Sequence, residues 1–207
     1  FASHGDDDHA GGWAGVRHHL PEGSLYSGEA ERVDDARACQ RGQSWRFDGV
    51  SFEVLWPAPE IDIRKSNNRS CVVHIRGRYA SALLTGDIEK PVEYWLAEHG
   101  GLESDIVQVP HHGSHSSSSY TFLRAVDAEQ AFVSSGYGNA FGHPAESVKR
   151  RYQQLDTALY NNARTGMIVF RRDEQHNAAP VLWRAETRRP WRAPVRTEHG
   201  GAVDMVE

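Results

Sequence analysis

The sequence predicts an α/β protein, and three observations support this fold class. Short segments of alternating apolar and polar residues follow one another closely between residues 44 and 85, which is typical of an antiparallel sheet. Beyond residue 88, apolar strands alternate with segments of helical periodicity. The composition, with 39% hydrophobic and 25% charged residues in a chain of 207, is that of a globular protein with one sizeable core or at most two small domains.

The first half of the chain is predicted to form one short helix and several short strands. The helix begins near Gly11 and ends before Pro21, and residues 22–44 form a polar surface connection. Two alternating segments flank Asp48-Gly49, a dipeptide that favours a tight hairpin turn. The strands expected in this half cover residues 24–26, 44–47, 50–56, 70–75 and 80–85.

The second half is predicted to alternate between helices and strands. Helices are expected over residues 89–100, 120–126 and 144–155. Strands are expected over residues 105–110, 131–135, 166–171 and 181–184. We therefore predict a single domain over residues 1–187. Residues 188–207 are polar and contain prolines, and we expect this tail to be poorly ordered.

An acidic cluster with two histidines lies at the start of the chain. His4, Asp6, Asp7, Asp8 and His9 all fall within six positions. Carboxylates this close repel one another and raise each other's pKa unless a cation lies among them. A solvated acidic loop at a chain end is the alternative interpretation. We favour a cation site, because the same side-chain chemistry recurs at three later places.

Those three places are strand ends or loops next to strands. Asp87 follows a buried apolar strand, His111 and His112 follow another, and a glycine-rich loop presents His143. If these strands share one sheet edge, six ligands converge: His4, Asp6, Asp8, His9, Asp87 and His143. Such a set suits two divalent ions, Mn or Zn with Mg as a further option, that activate water in phosphoryl-type displacement. A turn aspartate and a flexible serine-rich loop are the structural alternatives.

Charge and cysteine content limit the cellular setting only in part. The net charge of −5 argues against a general nucleic-acid coat, although arginines cluster over residues 184–196. Cys39 and Cys71 lack the spacing of a structural zinc site, and they are either two small apolar residues or one disulfide. A disulfide would imply an oxidising compartment. No apolar segment reaches the roughly 18–20 residues of a membrane span, and there is no signal-peptide pattern.

The motifs resemble those of a known superfamily. His4-x-Asp6-x-Asp8-His9 is similar to the HxHxDH motif of the metallo-β-lactamase superfamily, with Asp6 in place of the second histidine. With Thr85-Gly86-Asp87, the run over 109–114 and Gly142-His143-Pro144, the chain resembles the C-terminal metallo-β-lactamase-like domain of the ComEC family of DNA-uptake proteins. The resemblance implies a four-layer αββα sandwich, here without the usual N-terminal strands, and metals at one sheet edge.

The resemblance also implies roles for the site residues. His4 and Asp6 would serve one metal, Asp8, His9 and His143 the other, and Asp87 would bridge them. The spacing of Asp87 and His143 is similar to that in the RNase Z branch. By that analogy His111 or His112 is a general acid or a phosphate contact, with Ser114 alongside. Direct ligation of a metal by either histidine is the alternative.

One departure from the superfamily pattern concerns the first metal. A third histidine is usual before the GD motif, but only His18, His19 and His74 lie between His9 and Asp87. None of the three is expected at a suitable strand end. The first metal is therefore predicted to be weakly held, and completed by water or by the loop at 67–68.

The resulting functional prediction is metal-dependent hydrolysis of a DNA phosphodiester, as in degradation of the non-transforming strand during DNA uptake. Asp8 or Asp87 would assist deprotonation of water, and His111 or His112 would protonate the leaving oxygen. The expected partner is DNA, single-stranded. The domain is expected to be soluble, on the periplasmic side of the inner membrane, as part of a larger membrane protein. Two alternatives are another hydrolase of small esters or cyclic nucleotides, and a non-catalytic DNA-binding module.

Overall fold

The structure is a computed structural model that describes residues 1–19, 23–174 and 179–187. The predicted tail over 188–207, with most of the arginine cluster, lies outside the described residues. The N-terminal part contains the helices α1 (Asp7–Ala10) and α2 (Trp13–His19) and two short parallel strands, β1 (Leu25–Ser27) and β2 (Ala36–Ala38). The helix predicted near residue 11 is therefore confirmed, with its start at Trp13.

A seven-stranded sheet forms the centre of the fold, and its spatial order is the sequence order. Its strands are β3 (Ser44–Phe47), β4 (Val50–Trp56), β5 (Val72–Arg76), β6 (Ser81–Leu84), β7 (Ile106–Gln108), β8 (Gln130–Val133) and β9 (Ala158–Asn161). The strands from β3 to β6 pair antiparallel with their neighbours, and those from β6 to β9 pair parallel, so β6 belongs to both parts. Asp48 and Gly49 both have positive φ, 48° and 78°, as the predicted hairpin turn requires.

Three helices connect the parallel strands: α3 (Lys90–His99), α4 (Tyr120–Val126) and α5 (Glu146–Gln154). All three were predicted to within a few residues, and the α/β fold class is confirmed. The chain continues with α6 (Asn162–Thr165), β10 (Ile168–Val169), β11 (Val181–Leu182) and α7 (Trp183–Glu186). The strand predicted over 166–171 is much shorter in the structure, because β10 pairs only with β11 and does not join the large sheet.

The main hydrophobic core lies between the large sheet and these connecting helices. Leu83, Val107 and Ala131 from successive strands pack with Val92 of α3 and Phe122 of α4, and all five are buried. Besides the large sheet, the described residues form only two-stranded sheets. Among these residues, no helix has the length and apolar content that crossing a bilayer requires.

The topology brings the ends of several strands to one edge of the sheet. Parallel strands β6, β7 and β8 end at the same edge, and antiparallel β5 begins there. The N-terminal segment is fastened to this edge, since the carbonyl of Ser3 accepts hydrogen bonds from the backbone N–H groups of Cys71 and Gly28. Cys71 is joined to Cys39 by a disulfide. The segments predicted to carry ligands therefore meet at one edge.

Candidate metal centre

His4 and His9 of the N-terminal cluster face the strand ends. The His4 ring is completely buried, and its Nδ1 lies 3.0 Å from Ser3 Oγ and 3.3 Å from Ser70 Oγ. Nδ1 of His9 lies 2.8 Å from the same Ser3 hydroxyl. Burial, with a smaller contribution from His9, lowers the pKa of His4. The serines thus hold both rings so that their Nε2 atoms point into the site.

Asp87 occupies the middle of the site, three residues after β6 ends at Leu84. Gly86, directly before it, has a φ of 54°, and a Cβ there would lie 2.7 Å from Ser3 Cβ, so glycine is required for this close approach. Asp87 is 5% exposed. Its Oδ1 lies 3.3 Å from His9 Nε2, and its Oδ2 lies 3.3 Å from His112 Nε2. Burial favours the neutral acid, but His112 and His9 outweigh it and hold the Asp87 pKa far below its usual value.

His111 and His112 lie in a single turn after β7 and both have positive φ, 48° and 51°. Residues other than glycine adopt this conformation at a cost of roughly 1–3 kcal/mol, and such strain is concentrated at functional sites. His112 Nδ1 donates to the carbonyl of Ser134 at 2.6 Å, which directs Nε2 towards Asp87 and Asp8. The hydrogen bond with Asp87 raises the His112 pKa to about 9.

His111 faces the same region from the other side. Its Nδ1 lies 3.2 Å from Ser116 Oγ, and its Nε2 lies 3.3 Å from the Asn67 side-chain nitrogen and 4.0 Å from Asp87 Oδ2. Ser114 contacts Ser116 through its hydroxyl at 3.2 Å. Ser114 therefore lies behind His111 and does not contact Asp87 directly in the structure.

The two carboxylates of the first motif have different environments. Asp8 is exposed, and its Oδ2 lies 3.2 Å from His112 Nε2 and 3.6 Å from His9 Nε2. Asp6 directs Oδ2 to His4 Nε2 at 3.3 Å, but its Oδ1 accepts from Arg32 at 3.0 Å. Burial opposes ionisation of Asp6, but Arg32 and His4 lower its pKa. Asp6 is therefore shared between His4 and a guanidinium group.

Two groups of three side chains bring possible ligand atoms within 4.8 Å of one another: His4, His9 and Asp87 in the first, and Asp8, His9 and His112 in the second. The two groups share His9 and so contain five different residues, all of which were predicted as ligands or catalytic residues. His143 lies further out, with its ring 6.0 Å from that of His111. Its loop is joined to the histidine turn, because a Cβ on Gly113 would lie 2.5 Å from Pro144.

The donor set fits a divalent cation. Among the described residues, the buried atoms His4 Nε2 and Asp87 Oδ1 make no hydrogen bond, although Asp6 Oδ2 and His9 Nε2 respectively lie 3.3 Å from them. A buried imidazole nitrogen and a buried carboxylate oxygen without hydrogen bonds are costly in the protein alone, and both are good ligands for Zn²⁺ or Mn²⁺. His74, one of the histidines considered for the missing third position, is buried elsewhere, with Ser104 Oγ 3.0 Å away and its Nδ1 3.1 Å from the carbonyl of Gly101.

A second layer of side chains was not predicted. Glu29 is 3% exposed, and its Oε2 accepts from the backbone N–H of Gly5 at 3.0 Å and from Arg32 at 2.8 Å. Ser66 Oγ lies 2.6 Å from the same oxygen. Burial opposes ionisation, but these donors lower the Glu29 pKa. Glu29 lies in a polar stretch without a motif. The only sequence signal for its role is its spacing of three residues from Arg32, which is typical of a helical ion pair.

Sequence comparisons find relatives named for competence or recombination, together with the uncharacterized protein YcaI of Escherichia coli, which is 36% identical over 157 residues that cover 73% of this chain and 20% of that protein. It is 40% identical over 170 residues to Competence protein ComA of Neisseria gonorrhoeae, covering 81% of this chain and 24% of that protein. It is 33% identical over 168 residues to Recombination protein 2 of Haemophilus influenzae, covering 80% and 21%. It is 28% identical over 186 residues to ComE operon protein 3 of Bacillus subtilis, covering 82% and 24%.

Other comparisons add little. No family model matches the chain. A solved structure titled as a putative Zn-dependent hydrolase of the metallo-β-lactamase superfamily from Thermotoga maritima is 12% identical to this chain. The match covers 68% of this chain and 84% of that protein's chain, with a TM-score of 0.39. The chain spans about a quarter of the length of the curated relatives. On the strength of the sequence matches, it belongs to the ComEC family of competence proteins.

Proposed function

We propose that this domain is a divalent-metal-dependent nuclease that hydrolyses DNA phosphodiester bonds during DNA uptake. The observation that carries the proposal is the pair of buried ligand atoms without a hydrogen bond, His4 Nε2 and Asp87 Oδ1, which lie amid further imidazoles and carboxylates at one sheet edge. The names of the relatives supply the substrate, because competence proteins act in the uptake of DNA. A set of nitrogen and oxygen donors without cysteine suits Mn²⁺ or Zn²⁺, with Mg²⁺ as a further candidate.

The resemblance divides the proposed ligands into two sets around Asp87, whereas the two groups of atoms within 4.8 Å of one another share His9. His4 and Asp6 would hold one cation, and Asp8 and His9 the other, with Asp87 contributing to both and His143 approaching from its loop. When bound, the cations would lower the pKa of water and stabilise charge on the phosphate oxygens. Asp6 would be the weaker ligand, because its Oδ1 is engaged by Arg32. We therefore expect the first site to release its cation more readily.

The histidine turn is proposed to handle the phosphate and the leaving oxygen. His111 Nε2 and His112 Nε2 lie 4.0 Å and 3.3 Å from Asp87 Oδ2, so both reach the region where a phosphate would be held. Asp87 raises the pKa of His112 in the protein alone, and the ring nitrogen of His112 next to Asp8 and Asp87 can donate a hydrogen bond to an oxygen atom held there. Asp8, which is exposed, can accept a proton from water. Ser114 supports His111 through Ser116.

The proposed setting is the oxidising, periplasmic side of the inner membrane, within a larger membrane protein. The Cys39–Cys71 disulfide supports this compartment, because such bonds persist where thiols are not kept reduced. The small share of each relative that the chain covers supports its being one domain of a longer protein. The proposed partner is DNA in its single-stranded form.

A cleavage assay on end-labelled single- and double-stranded DNA with Mn²⁺ tests the proposal, with metal content measured in parallel. We expect cleavage by the native protein and at least a hundredfold loss in Asp8→Asn and His111→Asn. Asp7→Asn is the matched control, since Asp7 is exposed beside Asp8. If the metal-loaded protein leaves DNA intact but hydrolyses small esters, the protein is an esterase and the nuclease proposal is wrong.

His112→Asn decides the role of that residue in the same assay. Loss of turnover with unchanged metal content would make His112 a phosphate contact or proton donor. Loss of one bound metal would make it a ligand, as its place beside Asp8 and His9 also permits. DNA affinity without turnover in the native, metal-loaded protein would indicate a binding module.

A further inference from the structure

The loop between β8 and α5 exposes two aromatic rings next to the candidate site. Tyr137 is 76% exposed and Phe141 is 82% exposed, so both rings present most of their surface to solvent. The Phe141 ring stacks on His143 with centroids 5.6 Å apart and an angle of 25°. His143 in turn lies 6.0 Å from His111. The exposed Phe141 ring is therefore connected through His143 to the residues proposed to handle phosphate, and Tyr137 lies four positions earlier on the same loop.

Hydrogen bonds from Asn139 hold the loop in one shape. The Asn139 side chain donates to the carbonyls of Gly136 and His143 at 3.1 Å and 2.8 Å, and it accepts from the N–H of His143 at 2.9 Å. Tyr137 and Phe141 thus project from a braced turn. A rigid aromatic ring loses little conformational entropy when it binds a partner, so this loop is suited to contact rather than to core packing.

The charge of the loop restricts what it can bind. Residues 136–142 contain no charged side chain, so the loop offers no charge to a phosphate group. A membrane-docking loop would be expected to pair its aromatic residues with Lys or Arg for the headgroups, and none is present here. Uncharged flat surfaces match the faces of nucleobases, which stack on aromatic side chains when they are unpaired. In a duplex those faces are already stacked on each other.

We infer that Tyr137 and Phe141 form a stacking platform for unpaired bases of a DNA strand whose phosphate enters the neighbouring site. This inference rests on the proposed function, and it gives that function a preference for single-stranded substrate. The Phe141 ring would receive a base near the phosphate contacted by His111, and Tyr137 a base further along the strand. Sequence preference would be weak, because every base has a stacking face.

Binding measured without turnover tests the platform separately from catalysis. We would follow fluorescence anisotropy of a labelled thymidine oligonucleotide of about 20 nucleotides, with protein in EDTA. Each of Tyr137→Ala and Phe141→Ala is expected to weaken binding about tenfold, as measured for base–aromatic contacts. Phe141→Trp should keep the affinity, whereas Phe141→Leu, which retains an apolar side chain, should not. Phe47→Ala is the control, since Phe47 is 77% exposed on the hairpin turn at the β3 edge.

An abasic strand of the same length distinguishes base stacking from other contacts. It carries the same phosphates, so its affinity should be unchanged by Tyr137→Ala and Phe141→Ala. Equal loss of affinity for both strands, or no loss for either, would overturn the inference. So would sedimentation with phosphatidylcholine–phosphatidylglycerol vesicles that depends on these rings. If DNA is never cleaved but these binding differences appear, the nuclease proposal fails and the platform stands.

Discussion

Glu29 provides a sharp test of how the site is held together. Its carboxylate is buried behind the first motif and receives the backbone N–H of Gly5, the residue between His4 and Asp6. The substitution Glu29→Gln keeps the size of the side chain, but it removes the negative charge and replaces one acceptor oxygen with a donor nitrogen. Hydrogen bonds to a charged group contribute roughly 1.5–3 kcal/mol each. Arg32 is about half exposed, so its share is reduced by solvent screening.

We therefore expect Glu29→Gln to lower the free energy of unfolding by about 2 kcal/mol, mainly through Gly5 and Ser66. Urea unfolding followed by tryptophan fluorescence would show a lower midpoint with an unchanged slope. Because the variant also loosens the backbone between His4 and Asp6, Mn²⁺ affinity should fall about 10- to 100-fold, as for other residues that orient metal ligands. Isothermal titration calorimetry measures that affinity.

The pH dependence of the difference has a defined sign. The folded-state pKa of Glu29 lies below its ordinary value of 4.5, so its stabilisation is present above that value and is lost as pH falls through the folded pKa. Native protein and Glu29→Gln should thus converge in stability in acid. Glu31→Gln is the matched control, because Glu31 is exposed and pairs only with Arg69 among the described residues. Equal effects of the two variants would refute this account of Glu29.

Three further outcomes follow from other contacts. Glu93 is fully buried and accepts hydrogen bonds from the backbone N–H groups of Ser118 and Ser119. Glu93→Gln should therefore lower the free energy of unfolding in urea by about 2 kcal/mol, whereas Glu98→Gln, at an exposed position, should leave it unchanged. Equal values for the two variants would contradict this prediction. Reducing the disulfide should cost about 3–4 kcal/mol, given its separation of 32 residues, and two free thiols in native protein would exclude it. Mn²⁺ at 100 times its Kd should stabilise the native protein by about 2.7 kcal/mol in calorimetry, and equal stabilisation of Asp87→Asn would contradict our ligand assignment.

The elements with a local signal were predictable from the sequence. The Asp48-Gly49 hairpin follows from residues that accept positive φ, and α4 begins after Ser119, whose side chain caps the helix by accepting from Phe122. The convergence of Asp87 and His112 was also predictable, because parallel strands end at the same sheet edge. These predictions depend only on neighbours along the chain or on sheet topology.

Features that depend on tertiary contacts were not predictable. Strand β9 is only four residues long and joins the sheet because it pairs with β8, which no local pattern indicates. The disulfide requires β2 to end beside the start of β5, and the two cysteines remained ambiguous without that contact. Glu29 acquires its role from Gly5, which is distant in sequence. The domain boundary at residue 187 remains a prediction.

Asp6 departs from the superfamily motif in a way that its surroundings explain. A histidine at this position would face the guanidinium of Arg32, which now lies 3.0 Å from Asp6 Oδ1 and 2.8 Å from Glu29 Oε2. An imidazole would leave that cation with one carboxylate fewer and could not accept its hydrogen bond while also ligating a metal through the same nitrogen. Asp6 has two oxygens and can serve both neighbours at once. Asp6 and Arg32 are therefore parts of one arrangement, in which the proposed first cation site would use a carboxylate that it shares with Arg32.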